Sequence, residues 1–142
     1  MTSPDVTPSQ DRWLRAIGYG LLAEIATILT IVAVVMMYRY LIARGLTDAQ
    51  YVAFAQQAGA ILGVIGGTVY VYLFVQLLMR RLTSRFVAHG IVAAIAAIAL
   101  SVGGSLAGHQ GVPPAYLIAS LLKLIAGGLA GSVASRRAHA TS

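Results

Sequence analysis

Apolar positions in this chain come in blocks too long for a strand or an ordinary soluble helix. From Ala16 to Tyr38, twenty-three residues are apolar or small except for Tyr19, Glu24, Thr27, Thr30 and Tyr38. About 20 such residues match the ~30 Å hydrocarbon core of a bilayer at ~1.5 Å per helical residue. Three more blocks follow, over about 52–78, 86–107 and 114–135. The pattern predicts an all-α membrane protein with four transmembrane helices, arranged as two antiparallel hairpins in one bundle (8–137). A disordered N-terminal segment (1–7) and a short polar tail (138–142) flank it.

The polar breaks fit that division. Thr7-Pro8-Ser9-Gln10 reads as a capping box with proline at the first helical position. Gly45 is a natural C-terminal cap for helix 1, whose tail runs through Arg39, Tyr40 and Arg44. Thr47-Asp48-Ala49-Gln50 is a second capping box, and Thr83 or Ser84 is expected to cap helix 3. Gly108 to Pro114 reads as a loop feeding helix 4. The first ten residues carry an acid and no base, and the following apolar run exceeds a signal-peptide core, so the first span is expected to stay as an uncleaved anchor.

Composition sharpens the class. The chain is 58% hydrophobic and 10% charged, with mean hydropathy +0.82, against about 25% charged in soluble domains. The net charge of +6 does not point to nucleic acid, because the basic residues stand singly or in pairs at span ends. One set of ends carries Arg12, Arg15, Arg80, Arg81, Arg85, Arg136 and Arg137, whereas the opposite set carries Arg39 and Arg44. The positive-inside rule then places both termini in the cytoplasm, with Trp13 in the interfacial belt. Together with the family likeness below, the arginine-over-lysine bias points to a bacterial cytoplasmic (inner) membrane. With no cysteine in the chain, thiolate chemistry is excluded.

Two charges fall inside spans. Glu24 lies nine residues past Arg15 and Lys123 nine past Pro114, about 13.5 Å deep from opposite ends. Each shares its face with small residues: Gly20, Ala23 and Thr27 for Glu24, Gly127 and Gly131 for Lys123. An intramembrane ion pair or a proton site is the reading for both. Side chains lean toward their helix N-terminus, so the two point away from each other in depth. The lysine stem or a water has to close the gap. A pair that only locks helix 1 to helix 4 is ranked ahead of one that moves protons.

Leu22-Ala23-Glu24-Ile25 in a first span resembles the small multidrug resistance transporters, four-helix proteins with an essential membrane glutamate in the first helix. The resemblance implies a proton- and cation-binding role for Glu24. The chain departs from that family in its strong arginine bias and in having Trp13 as its sole tryptophan, and Lys123 would compete for the carboxylate. The closing stretch Lys123 to Arg137 and the overall layout are similar to small uncharacterised four-span bacterial membrane proteins, which carry no activity to transfer.

Small residues recur every four positions at Ala55, Gly59, Gly63 and Gly67, and again at Gly127 and Gly131, spacing that lets another backbone approach closely. Helix 3 has the stripe Ala93, Ala97, Ser101, Ser105. Ile65-Gly66-Gly67 to Arg80-Arg81 and Ile125-Ala126-Gly127-Gly128 to Arg136-Arg137 share a pattern with unequal spacers, read as coincidence. His89, His109 and His139 have no metal-ligand spacing and read as interfacial polar residues. Gln56, Gln57 and Gln76 read as interhelical glue, and Tyr70, Tyr72 and Phe74 as packing. No nucleophile–base pair or second membrane carboxylate accompanies Glu24. The expectation is a non-enzymatic protein without cofactor or metal, a structural or accessory bundle that self-associates or joins a larger membrane complex; the alternative is a proton-coupled transporter or proton pathway through Glu24. If the arginine count sets topology, reporters fused to the two ends both score as cytoplasmic, and protease access to either from the periplasm contradicts it.

Overall fold

The computed structural model describes residues 9–82, 84–108 and 114–140. The first capping box, Thr83, the His109 loop and the last two residues fall wholly or partly outside them. Four α-helices are present: α1 Ser9–Met37, α2 Asp48–Met79, α3 Phe86–Ala107 and α4 Pro114–Ala140. All four are long and apolar enough to cross a membrane, and there are no strands among the described residues. Leu14, Leu29, Ile65, Leu117 and Leu121 are exposed. Large apolar side chains left on the outside in this way suit a hydrocarbon solvent.

Around the bundle, α1 packs on α2, α2 on α4, α4 on α3 and α3 on α1, which closes a ring. Helices α2 and α3 touch only lightly across one diagonal, and α1 and α4 face each other along the other. Between α1 and α2, Tyr38 stacks on Phe54 at 3.7 Å, Thr30 meets the Tyr70 hydroxyl at 2.9 Å, and Tyr19 meets Phe74 edge-on at 6.4 Å. The Thr30 hydroxyl donates to the Ala26 carbonyl, so Tyr70 is the donor in the interhelical bond.

The end of α1 differs from the continuous helical tail expected there. Residues Tyr38–Ile42 form a π-turn, closed by Ala43 N–H to Tyr38 C=O at 2.9 Å. Gly45 then takes φ +86, a left-handed conformation that suits glycine. Tyr51 fixes this connection. Its hydroxyl donates to Ala43 C=O at 2.7 Å and accepts from Leu46 N–H at 3.3 Å, while Arg39 lies 4.8 Å over its ring. Tyr51 is buried by these contacts. At the start of α2, Gln50 Oε1 accepts from Thr47 N–H at 2.9 Å, the back-reaching half of a capping box.

Ser84 does not cap α3. The N-cap is Arg85, at φ 54 and ψ 37 with no side-chain cap bond. His89 folds back on this turn instead: its backbone N–H and its ring Nδ1 both bond Arg85 C=O, at 3.2 and 2.9 Å. A carbonyl only accepts, so Nδ1 carries the hydrogen. The ring stacks on Trp13 at 4.2 Å and is 3% exposed, which corrects the interfacial reading of His89.

The core is mostly alanine: Ala16, Ala93, Ala94, Ala97 and Ala130 are fully buried, with Val71, Val75 and Leu78 the main larger side chains. Four glycines permit this closeness. A Cβ on Gly20 would collide with the Ala93 backbone; Gly90 and Gly127 abut each other; and a Cβ on Gly131 would lie 2.6 Å from Val87 Cα. Backbone contact of this kind carries helix association in lipid, where apolar burial gives no net drive. Gly127→Ala should therefore destabilise the bundle by about 1–3 kcal/mol through overpacking, while Gly128→Ala, with nothing within 4 Å, stays within about 0.5 kcal/mol. Unfolding midpoints of the two variants in detergent check this.

Candidate functional site

The two intramembrane charges meet. Lys123 Nζ lies 2.5 Å from Glu24 Oε2, with side chains 3% and 6% exposed. The pair crosses the α1–α4 diagonal, so it runs through the middle of the ring. Ser101 of α3 completes the cluster: its hydroxyl donates to Glu24 Oε1 and accepts from Lys123 Nζ at 3.2 Å. Each carboxylate oxygen thus has a donor, and the lysine uses two of its three N–H groups here. Thr27, though buried beside them, spends its hydroxyl on the Ala23 carbonyl at 2.9 Å.

The fourth helix contributes an absence. A Cβ at Gly67 of α2 would lie 2.7 Å from Lys123 Cε and 3.3 Å from its Nζ. The missing side chain leaves a passage for the lysine stem, which closes the depth gap between the charges. All four helices therefore shape one neutral, hydrogen-bonded cluster.

The bundle differs on the two sides of this cluster. Toward the arginine-rich end, the buried residues Ala16 and Ala23 of α1, Val71, Val75 and Leu78 of α2, Gly90, Ala93 and Ala94 of α3 and Ala126, Gly127 and Ala130 of α4 pack tightly. Toward the opposite end lies a cavity of about 980 Å³ that reaches from Glu24, Ser101 and Lys123 to Gly108 and Ala115. Its walls include Ala55, Gly59, Gly63, Gln56, Ser105 and Tyr116. Of the glycines in the α2 stripe only Gly67 has a close neighbour, and it is the Lys123 side chain rather than the backbone expected; a Cβ on Gly59 or Gly63 would meet nothing within 4 Å. These positions border open space because α2 and α3 touch only lightly across the bundle.

The remaining candidates stay apart from the cluster. Gln76 Nε2 donates to Tyr72 OH at 3.3 Å and to Ala130 C=O of α4 at 3.4 Å, at the arginine-rich end. Arg15, Arg80, Arg81, Arg85, Arg136 and Arg137 are exposed and Arg12 is half-buried. Among the described residues no group of three or more His, Asp or Glu is placed to hold a metal ion. Ser101 was not singled out by sequence as part of the charge site. The signal was a polar hydroxyl on a stripe that begins with Ala93 and Ala97, at the sixteenth of the 22 residues of α3.

Compared with protein-family models, curated proteins and solved structures, the chain matches none of them. The cluster itself carries the argument. Removing the Ser101 hydroxyl takes a hydrogen bond from a buried carboxylate and an acceptor from a buried ammonium. Ser101→Ala is expected to lower unfolding stability in detergent by about 1.5–3 kcal/mol, as for bonds to charged groups. Ser132→Ala, whose hydroxyl bonds its own helix at Gly128 C=O, serves as the control with little change.

Proposed function

We propose that this protein is a non-enzymatic structural or accessory component of a bacterial cytoplasmic membrane. In this reading two antiparallel hairpins place both termini in the cytoplasm, and the bundle joins copies of itself or a larger membrane complex. The observation that carries it is the bonded Glu24–Ser101–Lys123 cluster across the α1–α4 diagonal. An isolated charge at mid-bilayer costs about 2.5–3.5 kcal/mol on insertion scales; paired and bonded, the two charges act as a lock between helices. Gly59 and Gly63, which border the cavity with no neighbouring atom within 4 Å of a Cβ, support association by leaving room on α2 for a backbone from another chain to enter at close range.

The cavity favours one second reading, a proton-coupled carrier or proton pathway in which Glu24 exchanges Lys123 for a proton or substrate. It ends on the carboxylate, so a small molecule entering it would meet both charges.

The two readings separate cleanly. If the cluster is a lock, Glu24→Gln alone loses about 3–5 kcal/mol by leaving Lys123 buried and unpaired, whereas the double variant Glu24→Gln, Lys123→Gln keeps fold and oligomeric state. Thermal unfolding with light scattering in detergent reads both. A carrier instead releases protons on adding substrate, and the release disappears in Glu24→Gln. Release on adding one of a panel of organic cations would overturn the purely structural role.

A further inference from the structure

The cavity that ends on the Glu24–Ser101–Lys123 cluster is built by all four helices. Gly59 and Gly63 of α2 and Gly104 of α3 line it, and a Cβ on any of them would meet nothing within 4 Å. Ile28, Val64 and Leu100 make its wall apolar, while the cluster gathers a carboxylate, an ammonium and a hydroxyl at one end. At about 980 Å³ the space falls within the roughly 300–1,000 Å³ of small-molecule sites, which combine apolar walls with a few converging polar groups. The two charges satisfy each other, so an entering ligand has to replace what it separates. A lone cation at Glu24 strands the Lys123 ammonium, and a lone anion at Lys123 strands the carboxylate; either leaves an unpaired charge inside the bundle. A ligand carrying both signs leaves none.

We propose that the cavity binds an α-amino acid with an aliphatic side chain. Its ammonium pairs with Glu24, its carboxylate with Lys123, and its side chain lies against the apolar wall. Lys123 Nζ and Glu24 Oε2 are only 2.5 Å apart, which suits a ligand whose own two charges sit close together around one α-carbon. Ser101 bonds both members of the pair, and its hydroxyl is able to accept from the ligand ammonium or donate to the ligand carboxylate. This assignment rests on the carrier reading, in which Glu24 exchanges Lys123 for a substrate, and names that substrate class. It differs in one respect: one neutral pair becomes two, so no proton leaves when the ligand binds.

Equilibrium binding of radiolabelled leucine to the full chain in detergent tests this, with isoamylamine and isocaproate, its cation-only and anion-only analogues, as competitors. Unlabelled leucine should compete about tenfold or more better than either, since each analogue leaves a membrane charge unpaired. A pH indicator in weak buffer should record no proton release as leucine binds. The double variant Glu24→Gln, Lys123→Gln should lose binding. Gly63→Leu, one turn from the glycine beside the lysine stem, should weaken binding about fivefold or more by filling the space. Gly66→Leu, whose Cβ also meets nothing within 4 Å but which does not line the cavity, should stay within about twofold of the parent. Circular dichroism of each variant checks that the helices persist; the Gly63→Leu result, which leaves both charges in place, decides the matter if the double variant does not fold. Four results overturn the proposal: no leucine binding, equal competition by either analogue, one proton released per leucine bound, or equal loss from Gly66→Leu. If leucine fails to bind while an organic cation releases protons, the carrier reading survives and the amino-acid site does not.

Discussion

One ion pair joins the two helices that the ring of contacts leaves apart. Neighbouring helices in this bundle touch along their lengths, but four cylinders touching only around a ring can shear, one diagonal lengthening while the other shortens. Helices α2 and α3 touch lightly on one diagonal. On the other, Glu24 and Lys123 form a strut at 2.5 Å. Its strength follows from its surroundings. In hydrocarbon an unpaired ammonium or carboxylate is costly, so each partner holds the other, and Ser101 bonds both.

The strut imposes a demand on the rest of the sequence. A lysine stem needs width to reach from α4 to α1, and Gly67 supplies it by having no side chain. On one side of this level the helices close together through Gly20 on Ala93, Gly90 on Gly127 and Gly131 on Val87. On the other side they stay apart around a cavity walled by Gly59, Gly63 and Gly108. The same residue type thus does opposite things. Where a neighbouring backbone is at hand, glycine removes the obstacle to contact; where none is, it widens the space. The charges lie at the boundary between the two regimes, which is why they are both buried and bordered by the cavity.

The four helices were legible because apolar run length in a membrane chain is set by bilayer thickness, whereas α4 runs on to Ala140, into the stretch expected as a polar tail. The pairing of Glu24 with Lys123 was legible as a possibility, since two opposite charges on small-residue faces have few other solutions at that depth. Ser101 was harder to read, because serine in a membrane helix can bond its own i−4 carbonyl, as Ser132 does, and sequence does not say which. The role of Gly67 was hidden within a stripe whose other members look identical; only the placement of α4 separates it from Gly59 and Gly63. His89 was misread because its position near a span end suggested water, while a left-handed Arg85 turns it under Trp13. Periodicity reports which face a residue shares, but not what the adjoining turn brings over it.

The closed cluster also limits what the cavity can do if it takes a ligand. Lys123 is tethered beside Glu24, so a competing cation faces a local ammonium at high effective concentration. A simple cation that displaced it would leave the Lys123 ammonium unpaired within the bundle, the costly state that pairing avoids. A proton arriving at Glu24 has the same consequence unless Lys123 gives one up. A species bringing both signs avoids it: its cationic group replaces lysine at the carboxylate while its anionic group receives the lysine. The net charge of the site is then unchanged throughout. The Glu24–Lys123 pair thus sets a stricter condition on any transported substrate than a lone membrane glutamate does, and it does so through the same attraction that braces the bundle.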